Sequence, residues 1–149
     1  MGSEAGVLRG SLIAEGIAAL AAAGFRAPRR EALRLWAELS EEGSASALVP
    51  PETAVPRERA DAFAQAVRRR AAGEPLAHVT GKIGFRHLTL RSDRRALIPR
   101  PETEGLVDLV LARAPGGRVA DVGTGSGCIA LSLASEGQYQ QVVGIDLSP

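Results

Sequence analysis

The chain is short of cysteine, of charge of one sign and of long apolar runs, and each shortage removes a class of protein. A single cysteine, Cys128, in 149 residues excludes an internal disulfide framework and any multi-cysteine metal site. It fits a reducing compartment, so the cytoplasm is the expected location. Eighteen basic against 17 acidic side chains leave a formal net charge of +1, which gives no global pull toward nucleic acid. Such a partner would need a local patch, and direct nucleic-acid binding is not expected. The longest apolar run, Ile17 to Ala23, is dominated by alanine and falls far short of the roughly 18 to 20 residues of a membrane span. The N-terminus carries Glu4 and no basic segment leading into a long apolar core, so neither a membrane association nor a secretory signal is expected.

What is present is a chain that is 45% hydrophobic, enough for one ordinary domain or two small ones. Leu8, Ile13, Ile17 and Leu20 fall near helical spacing, Gly24 supplies a stop, and Pro28 can open a second helix at its first turn. That second helix carries Ala32, Leu35, Trp36 and Leu39 on one stripe. A linker rich in Ser, Gly, Ala and Pro follows from Glu42 to Pro51, and Pro56 opens a third helix with Ala60, Phe63 and Val67 inward, closed near Gly73. Short amphipathic helices joined by turns predict a small bundle. Trp36 and Phe63 read as core, and the run Arg68-Arg69-Arg70 as a solvated helix face.

The period changes after Val79. Phe85, His87 and Thr89 alternate with Arg86, Leu88 and Leu90, a strand pattern, and Ala96 to Ile98 could return after the polar turn Ser92-Asp93-Arg94, giving a hairpin connector. Pro101 opens a fourth helix with Leu106, Val107, Val110 and Leu111 as its apolar face, and Glu102 and Glu104 at its positive end. Val119 to Val122 reads as a buried strand, Ser126 to Glu136 as a helix stopped by Gly137, and Val142 to Asp146 as a second buried strand. Strand, helix and strand with short connections begin a parallel doubly wound sheet.

Gly123, Gly125 and Gly127 stand where the first of these strands turns into a helix, so backbone can approach a ligand and helix N–H groups face it. Asp146, 19 residues past Gly127, is placed to accept hydrogen bonds from ribose hydroxyls. An adenosine-type nucleoside is the ligand this spacing predicts. Two registers remain open. Gly125-Ser126-Gly127-Cys128-Ile129-Ala130 satisfies the dinucleotide fingerprint G-x-G-x-x-G/A, whereas Asp121-Val122-Gly123-Thr124-Gly125-Ser126-Gly127 resembles the acidic-x-G-x-G-x-G loop of S-adenosylmethionine-dependent methyltransferases.

A wider resemblance favours the second register. Gly73-Glu74-Pro75, Gly84-Phe85, the string Leu97-Ile98-Pro99-Arg100-Pro101-Glu102-Thr103-Glu104, the stretch Asp121 to Leu131 and Gly144-Ile145-Asp146-Leu147-Ser148 together resemble the HemK/PrmC family of protein-(glutamine-N5) methyltransferases. Members of that family modify peptide-chain release factors. The resemblance covers about half the chain, and the string from Ile98 to Glu104 is its most specific part.

That resemblance implies a helical release-factor-docking domain over residues 1–75, a β-hairpin connector over 76–98, and the first part of a Rossmann-like α/β methyltransferase fold over 99–149. It implies S-adenosyl-L-methionine held by Gly123, Thr124, Gly125, Ser126, Gly127 and Asp146, with Arg100, Glu102 and Thr103 beside the cofactor and the incoming glutamine. The family also carries an Asn-Pro-Pro-Tyr motif that holds the reacting amide, and these 149 residues contain none. No catalytic residue is therefore assigned, and the expectation is an N-terminal fragment without activity of its own.

Other readings stand beside this one: a glutamine methyltransferase acting on a ribosomal protein, a non-catalytic module that binds a translation factor, and an NAD-dependent oxidoreductase using the Gly125 register. Cys128 reads as a small packing residue. His78 and His87 have no metal-ligand partner pattern, and no metal is expected.

Overall fold

The computed structural model describes residues 6–40 and 50–148. The chain divides into two compact units, Met1–Thr80 and Gly81–Pro149. Most of the expected linker, residues 42–49, lies outside the described residues.

The first unit opens with strand β1 (Val7–Leu8) and helices α1 (Arg9–Ala22) and α2 (Pro28–Leu39). Strand β2 (Ala54–Val55), helix α3 (Arg57–Ala71) and the short helix α4 (Leu76–Thr80) complete it. Local chemistry sets the boundaries. Gly24 takes a φ of +83°, and the bonds from Gly24 N to Ala21 O and from Phe25 N to Leu20 O close α1 in a Schellman motif. Gly73, at φ +91°, closes α3 in the same way through Arg70 O and Arg69 O. Pro28 supplies the first turn of α2, where a missing N–H costs nothing.

The core of this unit holds Leu20, Ala32, Leu35, Trp36, Phe63 and Val67, as the stripe pattern predicts. Trp36 and Phe63 meet edge to face with centroids 5.4 Å apart. Gly16 lets α1 approach α3, since a Cβ there would stand 3.1 Å from the Phe63 ring. β1 pairs antiparallel with β2, which ties the start of α1 to the segment preceding α3.

The run Arg68–Arg70 is not a uniformly solvated face. Arg69 forks onto both carboxylate oxygens of Glu74, at 2.7 and 2.8 Å, and donates to the carbonyls of His78 and Val79. Arg70 pairs with Glu31 and covers the Phe25 ring at 4.5 Å. Two of the three arginines therefore brace α2, α3 and α4.

The second unit contains strands β3 (Lys82–Phe85) and β4 (Leu88–Arg91), helix α5 (Glu102–Arg113), strand β5 (Gly116–Val122), helix α6 (Cys128–Glu136) and strand β6 (Gln138–Ile145). The hairpin differs from expectation. Its turn is Arg86-His87, with β3 and β4 pairing Phe85 to Leu88 and Ile83 to Leu90, and Ala96 to Ile98 form no strand. A two-residue turn resets the side-chain parity, so Ile83, Phe85, Leu88 and Leu90 share one face, whereas an unbroken strand would have split them. The span 76–98, expected as the connector, thus opens on helix α4 and forms its hairpin only over Lys82–Arg91.

β5 and β6 pair in parallel, joined by α6, which is the strand–helix–strand unit the sequence predicts. They are not buried on both faces. Accessibility alternates along β5, and Val122 is 78% exposed, because α6 covers one face of the two-stranded sheet. Val119, Ile129, Leu133 and Tyr139 join Phe85, Leu90, Val107 and Cys128 in the core, while Ala120, Val122, Val143 and Ile145 occupy the other face. On α5, Val107 is fully buried and Val110 and Leu111 pack against the core, but Leu106 points outward at 47% exposure. Cys128 is a buried packing residue, as read. Among the described residues no helix is long and apolar enough to cross a membrane.

Candidate functional site

The glycine loop leaves β5 and enters α6 through three left-handed residues, Gly123 at φ +78°, Gly125 at +54° and Gly127 at +76°. This region disfavours side chains with a Cβ, which explains the alternation of glycine. A Cβ built on Gly123 or Gly125 would meet no protein atom within 4 Å, so packing does not demand glycine there; backbone conformation does, and it leaves open space above the loop. The loop is pinned from below by the end of β6, where Ile145 O accepts from Gly123 N at 2.7 Å and Thr124 N at 2.9 Å.

Two acids flank the loop in different roles. Asp121 Oδ2 accepts from Thr124 Oγ1 at 2.7 Å and from Ala130 N at 3.2 Å. Gly127 caps α6 without a side chain, and Ala130 is the third residue of that helix, so Asp121 performs the work of an N-cap from the preceding strand. Its carboxylate lies at the positive end of the helix, where negative charge is favoured. Gly144 makes room for this arrangement, because a Cβ there would stand 3.0 Å from Thr124 Oγ1.

Asp146 follows β6. One carboxylate oxygen accepts from Ser148 N at 3.0 Å and the other from Gly125 N at 2.7 Å. The Ser148 amide, then the Gly125 amide, hold the acid below its ordinary carboxylate range. It is ionised at neutral pH and still has lone pairs to offer a diol.

A cavity of about 240 Å³ opens at this point, lined by Gly125, Ser126, Asp146, Ser148, Arg91, Asp93, Arg95 and Ala96. Complete small-molecule sites usually start near 300 Å³, so this volume suits part of an elongated ligand. Gly125, Ser126 and Asp146 were anticipated from the sequence and line it; Gly123, Thr124 and Gly127 shape the loop without lining the cavity. Arg100, Glu102 and Thr103 stand at the start of α5, where Thr103 N donates to Arg100 O at 3.0 Å, and none of the three lines this cavity. Glu104 serves the hairpin turn, accepting from Arg86 N at 3.1 Å.

Arg91, Asp93 and Arg95 form a wall of the cavity that the sequence reading does not anticipate. Its signal in the sequence is the charged run Arg91-Ser92-Asp93-Arg94-Arg95, whose middle three residues read as a polar turn. Asp93 and Arg95 form a fork, with Arg95 Nη2 at 2.6 Å and Nε at 3.0 Å from the carboxylate, and the guanidinium drives the Asp93 carboxyl far below its ordinary value.

Comparison with known proteins places this geometry in context. Residues 11–81 match the model of the PrmC N-terminal domain. Release factor glutamine methyltransferase of Escherichia coli is 40% identical over 124 residues, which cover 82% of this chain and 45% of that protein. The protein of the same name from Rhodospirillum rubrum is 35% identical over 148 residues, 98% of this chain and 46% of the relative. That of Vibrio cholerae reaches 52% over 83 residues, 54% of this chain and 29% of the relative. The chain belongs to the HemK/PrmC family. It spans less than half the length of these curated relatives. The match to the family's N-terminal domain ends at Gly81, the residue where the second compact unit begins, so the first unit coincides with that domain at its C-terminal edge.

Proposed function

We propose that this chain supplies the docking domain and the S-adenosyl-L-methionine seat of an enzyme that methylates the side-chain amide nitrogen of a glutamine in a peptide-chain release factor. The relatives' names support the acceptor, and the family's helical N-terminal domain supports docking through residues 1–75. The second unit then reads as the opening of a Rossmann-like sheet, with Gly123 to Gly127 and Asp146 around the cofactor and Arg100, Glu102 and Thr103 toward the acceptor.

The observation that carries the cofactor assignment is the Asp121 carboxylate at the N-terminus of α6. A dinucleotide of the G-x-G-x-x-G type seats its pyrophosphate at that helix end. Here the Asp121 carboxylate already accepts from the Ala130 amide at that end, and a second anion beside it would meet its negative charge. A cofactor whose ribose reaches Asp146 without placing a phosphate on the helix suits the site better. S-adenosylmethionine is such a molecule, and it carries the activated methyl group.

A glutamine amide nitrogen is a poor nucleophile because its lone pair is delocalised into the carbonyl. Transfer therefore depends on holding that nitrogen in line with the methyl group at roughly 3 to 3.5 Å. The cavity residues bind and orient the nucleoside end, and no group among them holds the amide. Residues 1–149 by themselves are accordingly expected to bind cofactor without turning over.

Calorimetry comparing S-adenosylhomocysteine with NAD tests the assignment. Binding of the former, weakened at least tenfold by Asp146→Asn, is the expected result. NAD binding in its place would sink the methyltransferase reading, and labelled methyl transfer to a release-factor domain by residues 1–149 alone would overturn the expected inactivity.

A further inference from the structure

A net charge of +1 gives no reason to expect a polyanionic partner, but it says nothing of where the charges sit. Arg26, just ahead of α2, and Arg29, Arg30 and Arg34 within it are all exposed. Among the described residues none of these four takes part in an ion pair. Glu31, the acid between them, is engaged by Arg70 of α3. The buried stripe of α2 is Ala32, Leu35 and Trp36, so helical spacing puts Arg30 and Arg34 on the opposite side of the helix.

This concentration of like charge opposes folding. Arg30 and Arg34 stand four residues apart on one helix, where two cations repel, and Arg29 and Arg30 lie in the first turn, at the positive end of the helix dipole. A bound polyanion would offset both. The face also lacks what a protein partner needs at its centre. The exposed large apolar side chains of the first unit are Val7 and Leu8, neither of them on α2, and Leu33 packs into the core. Protein interfaces are built around desolvated apolar or aromatic anchors, whereas a phosphate backbone is held by charge alone.

We propose that Arg26, Arg29, Arg30 and Arg34 bind the phosphodiester backbone of a nucleic acid. Arg30 and Arg34 lie one turn apart, about 5 to 6 Å between Cβ atoms, so both address one strand, and each guanidinium fork matches a phosphate in two hydrogen bonds. Phe25 is covered by Arg70, and Trp36 and Phe63 are buried, so no aromatic ring stands beside the arginines to stack a base. The contact therefore reads charge and not sequence. It does not depend on the cofactor reading.

The test is fluorescence anisotropy of the chain with a labelled RNA strand and, separately, a DNA strand of the same sequence, over a series of salt concentrations. The logarithm of the affinity should fall with the logarithm of salt with a slope of about 3, as four phosphate contacts require. Arg30→Gln with Arg34→Gln should weaken binding by about tenfold at low salt and lower the slope by about 1.5. The same two positions changed to lysine should keep the slope, which separates charge from a folding defect. Arg113→Gln, at an exposed arginine of the second unit, should change neither affinity nor slope. Binding of either nucleic acid in this pattern supports the proposal, and the two arms show which of them supplies the backbone. Binding of neither, an equal loss in Arg113→Gln, or tighter binding of polyglutamate or of phosphatidylserine vesicles than of both nucleic acids would overturn it.

Discussion

The Arg86 guanidinium grips both carboxylate oxygens of Glu136, at 2.8 and 2.7 Å, across fifty residues of chain. Arg86 sits at the tip of the hairpin in a left-handed conformation, φ 51°, that an arginine seldom adopts. Further bonds hold it there: its Nη1 pairs with Asp108 at 2.8 Å and donates to Glu104 O at 3.0 Å. One side chain therefore fastens the β3–β4 turn to the start of α5 and the end of α6.

Acid should loosen this fastening. Arg86 holds Glu136 below its ordinary value of 4.5, so the stability it contributes is present above that value and is lost as pH falls through the lower folded value. Asp93 and Asp146, lowered from 3.8, act in the same direction. Urea midpoints followed through Tyr139 are expected to drop between neutral pH and about 3. Glu136→Gln should lower the neutral midpoint and flatten the acid slope. An unchanged slope in that variant would remove Glu136 from the account.

Asp121→Ala should cost about 1 kcal/mol, the usual loss for an N-cap acceptor, and should speed hydrogen exchange at the Ala130 amide. The second readout separates a lost cap from general destabilisation. Exchange at Ala130 no faster than in the unaltered chain would show that the bond carries little.

Gly144→Ala tests the room made for Thr124. The added Cβ would stand 3.0, 3.2 and 3.3 Å from three side-chain atoms of Thr124, and overpacking of this kind costs about 1 to 3 kcal/mol. Combining it with Thr124→Ser removes the Cγ2 contact. The double variant is expected to lose less than the sum of the two singles. Simple additivity in denaturation would show that the crowding is relieved elsewhere.

Phe63→Ala should cost about 3 to 5 kcal/mol, because the ring is 1% exposed and leaves a cavity against Trp36 and Gly16. The chain has one tryptophan, so the fluorescence of Trp36 reports the first unit without interference. A loss below about 1 kcal/mol would mean that the bundle collapses freely into the space.

What could be read from the sequence was what local chemistry decides. Pro28, Gly24 and Gly73 bound their helices because a fixed φ or a left-handed stop acts within a few residues. The strand–helix–strand unit and the glycine loop were legible for the same reason. Parity was not: Phe85 and Leu90 belong to one face only through a two-residue turn, and that turn is held by Glu104, 18 residues away from Arg86. The bracing by Arg69 and Arg70 and the cavity wall at Arg91 were equally hidden, since each depends on partners that adjoin only after folding. The open second face of β5 is not legible in its residues, because apolar side chains such as Val122 mark a strand without saying how many of its faces are covered.

Asp146 is fixed by the amides of Gly125 and Ser148 before any ligand arrives. On the cofactor reading proposed above, an acid steered in this way loses little rotational freedom when the ribose diol docks on it, so ordering the receptor takes little from the free energy of binding. The entropic cost falls on the ligand, and a nucleoside already locked in its bound sugar pucker should gain affinity over a flexible one.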